Sequence, residues 1–436
     1  MYRWLAGALV LLVAGLVFQL GLLAFSMYVL LLILPLSWWL TRCWMEHLDA
    51  ARVNRDVQLE IGDRVAVELR IRNRWFGPVA WVLAEDHLPE HALRQRPPRL
   101  HVQGKPVRAG PIGRSKSLVL KYEITFAMRG YYQIGPLVLE TGDVFGLHRR
   151  WRIAAAPFFV QVNPRIVPLS GYQIASRRPV GEIRLTHRLY EDPTRMAGVR
   201  QYQNGDPLNR VHWRATARTG LLHAKQYDPS CIAGATILLD FHARSYPARG
   251  EPYRSELAVT AAASIAHAVF HLGQQIGLVT NGRDAADRIR LEGWDKEFRS
   301  RQQAHRQVDM HPQSDRLRPL VIETRRGAEQ MSRILDVLAR VELTDGLTFA
   351  QLAGEVAGRM PRDATVIAIL GSVDMETSLA LDLLKHQGFA VTAVLVGLTE
   401  QELETAYGLL AAYRIQMLHA RDEASLTELC NLMLMR

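Results

Sequence analysis

From Trp4 to Thr41 the chain carries no charged residue, and the stretch reads WLAGALVLLVAGLVFQLGLLAFSMYVLLLILPLSWWLT. One helix crossing a bilayer takes about 20 apolar residues. The run is roughly twice that, so its pattern predicts two spans over 1–45 joined by a tight turn near Gln19-Leu20-Gly21, the polar-plus-glycine interruption in its first half. A cleavable signal peptide is the competing reading. It requires a small-residue cleavage site followed by polar sequence, and here the apolar run continues. Trp38, Trp39 and Trp44 fall where an interfacial aromatic belt is expected. Arg3 precedes the first span, Arg42, Arg52 and Arg55 follow the second, and the turn is uncharged. The excess of positive charge on the cytoplasmic side places both termini and the soluble remainder in the cytoplasm, with the chain held in the inner (cytoplasmic) membrane.

Beyond the apolar run the period changes twice. Over 53–169 apolar and polar residues alternate in short runs, among them Val65–Ile71, Leu118–Ile124, Leu137–Glu140 and Phe158–Val162. Gly62-Asp63, Gly77-Pro78, Gly104, Gly130, Gly135-Pro136 and Gly142-Asp143 punctuate them. Short strands at this spacing predict a β-sandwich, with the Pro-, Gly- and Arg-rich tract from Arg94 to Ser117 as a long loop. Residues 170–225 read as a connector. From 230 to 436 strand and helix patterns alternate. Strands are expected at Thr236–Leu239, Ile276–Thr280, Thr365–Leu370, Ala390–Val396 and Ile415–Leu418. Helices are expected at Ser255–Gln274, Gly327–Val341, Thr348–Met360, Ser378–Gln387, Glu400–Tyr413 and Glu423–Met433. This is the signature of an α/β domain with a parallel sheet covered on both faces, where ligands sit beyond the carboxyl ends of the strands. The charged stretch 283–317 interrupts the alternation and reads as an insertion.

Composition narrows the function classes. A length of 436 residues suits about three units. A hydrophobic share of 48% excludes wholesale disorder. Cys43, Cys231 and Cys430 are too few and too scattered for a disulfide-stapled module or a cysteine-rich zinc domain. The net charge of +10 comes mainly from arginines spread along the chain, without a dense basic run interleaved with aromatics, which argues against nucleic acid as a partner.

The most informative stretch is GVRQYQNGDPLNRVHWRATARTG, from Gly198 to Gly220. Gly205 supplies a turn, Asp206 suits an N-cap and Pro207 the first helical position, so a helix is expected from Pro207 to about Arg218, closed by Gly220. Leu208, Val211 and Ala215 would face inward. Arg210, Arg214 and Arg218 would form a cationic stripe, balanced either by acidic residues of the neighbouring domains or by an anionic ligand or acidic protein face.

These residues resemble the signature of the bacterial membrane-associated family known as domain of unknown function 58, of the form R-x-Y-x-x-G-D-x-x-R-x-I-x-W-x-x-x-A-R. The matching positions are Arg200, Tyr202, Gly205, Asp206, Arg210, Trp213, Ala217 and Arg218, with Val211-His212 before the tryptophan. Arg129-Gly130-Tyr131, Gly135-Pro136 and Asp143–Leu147 also resemble the family's β-rich domain. The resemblance implies two membrane spans, a β-rich domain, the signature, and then a von Willebrand factor A-like α/β domain. It also implies association with a MoxR-type AAA+ ATPase and with a transglutaminase-like membrane protein.

Domains of the von Willebrand A type often hold Mg²⁺ through D-x-S-x-S after the first strand, and hard cations want such oxygen ligands. Here the stretch reads Asp240-Phe241-His242-Ala243-Arg244-Ser245: Asp240 fits, but His242 and Arg244 stand in place of the serines. Ser372 and Asp374, after the strand ending at Leu370, are the remaining weak candidates. No Mg²⁺ and no other cofactor is therefore expected, and Asp240 reads as a strand-end carboxylate paired with Arg244 or the signature arginines. His267 and His271 lack the following Glu of a metalloprotease helix. With no catalytic constellation, the expected function is that of a membrane-anchored, non-enzymatic interaction protein, its signature residues Arg200, Tyr202, Gly205, Asp206, Arg210, His212, Trp213, Arg214 and Arg218 forming the contact. The alternative is an envelope hydrolase built from Asp206, His212 and Asp240.

Overall fold

The computed structural model describes residues 2–54, 56–169, 191–203, 211–229, 234–286, 317–361 and 364–428. The apolar run folds into α1 (Tyr2–Val17) and α2 (Gly21–His47). The chain reverses between them, with Gln19 at φ 55. Gly15 lets the helices approach closely: a Cβ there would lie 3.2 Å from the Ala24 nitrogen. The 16 residues of α1 extend about 24 Å, short of the roughly 30 Å hydrocarbon core, whereas the 27 of α2 extend about 40 Å. Among the described residues α2 alone is long and apolar enough to cross a membrane by itself.

α2 passes directly into a β-rich region. Its strands are β1 (Leu48–Arg52), β2 (Val57–Leu59), β3 (Arg64–Asn73), β4 (Val79–Asp86), β5 (Leu100–Gly104), β6 (Val107–Ile112), β7 (Ser117–Phe126), β8 (Gly130–Ile134), β9 (Leu137–Gly142), β10 (Arg149–Ala155) and β11 (Phe158–Val162), with the short helix α3 (Glu90–Arg94) after β4. They form sheets of order β1-β3-β7-β5, β10-β9-β4-β6 and β2-β11-β8. Alternation turns Val67, Leu69 and Ile71 of β3 and Leu120 and Ile124 of β7 inward, where they share one core with Val82 and Ala84 of β4 and Leu137 and Leu139 of β9. The tract from Arg94 to Ser117, expected as a loop, contains β5 and β6. Its glycines and prolines sit between and within edge strands, where a missing side chain or donor is tolerated.

The connector is also more ordered than its periodicity suggests. Residues 170–190 lie outside the described residues, but β12 (Glu191–Gln201) pairs antiparallel with β13 (His223–Pro229), and α4 (Trp213–Thr219) sits between them.

The remainder is an α/β unit of β14 (Gly234–Leu239), α5 (Tyr253–His271), β15 (Gln275–Thr280), β16 (Arg283–Asp284), β17 (Leu320–Arg325), α6 (Ala328–Arg340), β18 (Val341–Glu342), α7 (Phe349–Val356), β19 (Ala364–Leu370), α8 (Met375–His386), β20 (Ala390–Val396), α9 (Glu400–Ala412), β21 (Gln416–Ala420) and α10 (Glu423–Glu428). The sheet order is β17-β15-β14-β19-β20-β21. The five expected strands pair parallel, and an unexpected one, β17, makes the sheet mixed by joining one edge antiparallel to β15. Its sequence, LVIETR, is half polar because an edge strand is covered less than a central one. The start of the expected insertion is corrected: Arg283 and Asp284 are buried and pair with β18. Residues 287–316 lie outside the described residues.

Arg129, just before β8, joins the β-rich region to the α/β unit. Its side chain is buried, with Nε 3.1 Å from Glu256 Oε2 on α5. Its Nη1 donates to the carbonyls of Leu338 (3.0 Å) and Val341 (2.8 Å) at the end of α6, and its guanidinium lies 5.5 Å from the Phe241 ring centroid. Gln161 of β11 adds a hydrogen bond to Asp336 of α6 at 2.8 Å.

Candidate functional site

In a sheet of this order the place for a ligand is the crevice beyond the carboxyl ends of the central strands. Asp240 stands there, one residue past β14, and is buried. Its Oδ2 accepts from Ser245 Oγ at 2.5 Å; its Oδ1 accepts from Asn281 Nδ2 at 2.9 Å and from the His242 amide at 3.2 Å. Asn281, past the end of β15, is held in turn by donating to the Leu347 carbonyl at 2.8 Å and accepting from the Phe241 amide at 2.6 Å. Burial pushes the Asp240 carboxyl above the ordinary value, and the donors from Ser245, Asn281 and His242 oppose that rise without cancelling it. No contact joins Asp240 to Arg244 or to a described signature arginine, so the expected arginine pairing is replaced by neutral donors.

The crevice is filled by the chain itself. Ala243–Ser245 form a single 3-10 turn that folds the strand end back, started by His242, whose Nδ1 accepts from the Arg244 amide. Tyr246 follows, buried, with its hydroxyl donating to the Asp240 carbonyl at 2.7 Å. On the β19 side Gly371 is what admits this ring: a Cβ there would lie 2.6 Å from Tyr246 Cε1 and 2.8 Å from the Ser245 carbonyl oxygen. On the other side Thr344 pairs with the loop, accepting from the Ala243 amide at 2.7 Å.

The residues do not fit the Mg²⁺ that a von Willebrand A-type site would hold. Asp240 has its lone pairs engaged, Ser245 is spent on it, and His242 is a turn cap. Asp374, expected near Asp240, is the N-cap of α8 and accepts from the Thr377 amide at 2.7 Å. Among the described residues no group of three or more His, Cys, Asp or Glu converges in a way that would hold a metal ion.

The signature segment is built differently. Gly205, Asp206 and Arg210 lie outside the described residues. Arg200 and Tyr202 belong to β12 and the turn after it, with the Tyr202 amide donating to the Leu222 carbonyl at 2.9 Å. Of the helix expected from Pro207 to about Arg218, the part before Val211 lies outside the described residues; Val211 is not helical but bridges to Ala224, and α4 runs from Trp213. The cap is His212, whose Nδ1 accepts from the Ala215 amide at 3.0 Å, a bond that a histidine makes less often than Asp or Ser. Gly220 closes the helix at φ 73, as its sequence suggests. α4 leaves Trp213, Arg214 and Arg218 in solvent, with Trp213 70% exposed. No carboxylate among the described residues pairs with Arg214 or Arg218. His212 and Asp240 are held by separate partners, and no hydrogen bond joins them.

Comparison with known proteins bears on this segment. Residues 198–317 match the family model described as protein of unknown function DUF58. The match begins at Gly198, just ahead of Arg200, the first residue of the signature. An uncharacterized protein, YeaD of Bacillus subtilis (strain 168), is 26% identical over 242 residues, covering 55% of this chain; the chain spans 57% of that relative's length. Among solved structures, the PapD-like domain of human CEP192 aligns at 12% identity and a TM-score of 0.17, covering 26% of this chain and 83% of that one. The CARDB domain of a Pyrococcus furiosus protein aligns at 14% identity and a TM-score of 0.16, over 27% and 94%. Scores this low leave the fold to be read from the chain itself.

Sequence reasoning missed Tyr246 and Asn281 as parts of this site. Asn281-Gly282 reads as a plain turn, and Ser245 stands five residues after Asp240 instead of two or four. Only the fold brings Ser245 and Asn281 onto the Asp240 carboxylate and the Tyr246 hydroxyl onto the same residue's carbonyl.

Proposed function

We propose that this chain is a membrane-tethered docking protein that transforms no substrate. The observation that carries the reading is the 70% exposure of Trp213 beside two exposed arginines on the signature helix. Tryptophan and arginine are the residues that protein interfaces use as anchors, and leaving an indole in water is unfavourable unless a partner covers it. The filled crevice at Asp240 supports the same reading, because a substrate would have to displace Tyr246. The alternative hydrolase has no comparable support, since His212 and Asp240 are each committed to structural bonds.

Within this reading the α/β unit is a von Willebrand factor A-like domain. In support, the first strand of the six-stranded sheet, β14, lies at its centre and the third in chain order, β17, runs reversed at the edge. α2 is the anchor. The charges that flank the apolar run support a cytoplasmic position for the soluble part. The partner is a MoxR-type AAA+ ATPase, with a transglutaminase-like membrane protein as a further member, acting in maturation of the cell envelope or of protein complexes.

The test uses the full chain purified from membranes. Wild type is expected to bring down an AAA+ ATPase, and the triple variant Trp213→Ala, Arg214→Ala, Arg218→Ala to lose it while remaining folded. Absence of any such ATPase from the wild-type preparation, or turnover of a substrate by the isolated chain, would sink the reading. A carboxyl-terminal reporter that is active only in the cytoplasm is expected to be active.

A further inference from the structure

Three apolar side chains stand out at the junction of α2 and the β-rich region. The turn between β9 and β10 reads Asp143-Val144-Phe145-Gly146-Leu147, and Val144 is 75% and Phe145 66% exposed. Leu147 is exposed as well. A turn that faces water ordinarily carries polar residues at its tip. This one is firmly built. Asp143 Oδ1 accepts from the His148 amide at 2.6 Å and Oδ2 from the Phe145 amide at 3.0 Å, and Gly146 supplies the left-handed residue at φ 74. The turn is tied to the helix by His148 Nδ1, 2.9 Å from Ser37 Oγ. Between helix and turn lies an apolar crevice lined by Ile33, Leu36 and Leu40 on one side and Val144 and Phe145 on the other.

The level of this turn follows from the hairpin. The contact of Gly15 with Ala24, carried along two antiparallel helices, sets Tyr2, the first residue of α1, level with Ser37. Above Ser37, α2 continues without α1 beside it. From Gly21 to Ser37 the helix rises about 25 Å, so Ser37 lies near the edge of a hydrocarbon core of roughly 30 Å. Ile33, which lines the crevice opposite the apolar tip, is about one turn deeper. One turn above Ser37 the chemistry becomes that of the headgroups: the guanidinium groups of Arg42 and Arg150 lie 5.7 and 5.5 Å from the Trp38 ring centroid. Phe76, exposed beside Trp75 and Trp39, continues the same belt.

We propose that the Val144–Leu147 turn inserts into the surface of the anionic phospholipid bilayer that α2 spans, fixing the β-rich region against the membrane instead of leaving it on a free tether. The inference rests on the reading of α2 as a membrane anchor. Continuity with the spanning helix and the arginine pair above the apolar tip argue for lipid as the occupant; a second copy of the chain is the competing one.

The full chain is reconstituted into vesicles of phosphatidylethanolamine and phosphatidylglycerol, with Cys43, Cys231 and Cys430 replaced by serine. One cysteine is then introduced by Phe145→Cys, by Leu147→Cys, or by Arg64→Cys at the far end of β3, and labelled with an environment-sensitive fluorophore. Labels at 145 and 147 are expected to be blue-shifted and to lose most of their emission to lipids carrying a quencher high on the acyl chain; the label at 64 is expected to be unaffected. Adding Val144→Asp and Phe145→Asp to the Leu147→Cys chain is expected to abolish the quenching while resistance to alkaline extraction persists. A chain that resists extraction but shows no more quenching at 145 than at 64 overturns the insertion alone. The same holds if the unlabelled Phe145→Cys chain, treated with a mild oxidant, forms an intermolecular disulfide with a second copy. A chain released by alkaline carbonate overturns the anchor reading, and the insertion with it.

Discussion

The two places where chemistry was expected, the strand-end crevice at Asp240 and the signature helix α4, are built on opposite principles. At Asp240 every polar atom has a partner: Ser245, Asn281 and the His242 amide hold the carboxylate, and Tyr246 closes the space above it. On α4 the indole of Trp213 and the guanidinium groups of Arg214 and Arg218 lie in solvent. A buried polar cluster that is fully satisfied contributes rigidity and has nothing left to offer a ligand. Exposed anchors contribute little to folding and keep their binding capacity. Asp240 is thus committed to bonds within the fold, and the contrast can be attacked from both sides.

The largest effect is expected where the closed crevice meets the β-rich region. Arg129→Ala leaves Glu256 unpaired and two carbonyls of the α6 end without a donor, which is expected to cost about 3–5 kcal/mol. Denaturant unfolding in detergent checks this; a loss below about 1 kcal/mol would show that Arg129 does not join the two units. Next comes Gly371→Ala. Its new methyl overlaps the Tyr246 ring and the Ser245 carbonyl, so a loss of about 1–3 kcal/mol is expected from overpacking. A neutral outcome would mean that the crevice is open enough to take a ligand.

A smaller change of the opposite sign is expected from Asp240→Asn. The amide oxygen keeps the bonds from Asn281 and His242, and its NH₂ donates to Ser245 Oγ, so the variant mimics the protonated acid. Burial raises the folded-state pKa of Asp240 above its ordinary value of 3.8. The wild type therefore has the full contribution of this group below pH 3.8 and loses it as pH rises through the folded value. The variant is expected to be at least as stable as wild type at neutral pH, with the gap closing as pH falls toward 3.8. Thermal melts across pH 3–8 read this out, and a variant destabilised at neutral pH would restore Asp240 as a charged site.

The smallest effect on folding is expected on the open side. Trp213→Ala should leave stability within about 0.5 kcal/mol, since the side chain buries little. A large loss would place the tryptophan in a packed contact and remove it from the proposed docking surface.

Legibility followed the range of the interactions. Val65–Ile71 and Leu118–Ile124 were readable as strands because one face of each sheet is buried and the alternation is local. Thr365–Leu370 and Ala390–Val396 were readable because central strands covered on both faces are apolar throughout. The tract from Arg94 to Ser117 was not, since β5 and β6 are edge strands whose stability comes from β7 and β4. The expected helix of the signature does not run unbroken to Arg218: Val211 is claimed by pairing with Ala224, and the cap of α4 falls to His212.

By itself the sequence determined the apolar hairpin, the change from a period of two to alternating strand and helix, and the helix stop at Gly220, all set by neighbours a few residues apart. Only the tertiary structure decided that β17 runs against its neighbour and that Ser245, Asn281 and Tyr246 seal Asp240. It also decided that Arg129 reaches a partner far along the chain, and that the Val144–Leu147 turn lies beside α2. Those outcomes depend on burial and hydrogen-bond satisfaction between segments distant in sequence, and no local pattern of residue types encodes which distant groups will meet.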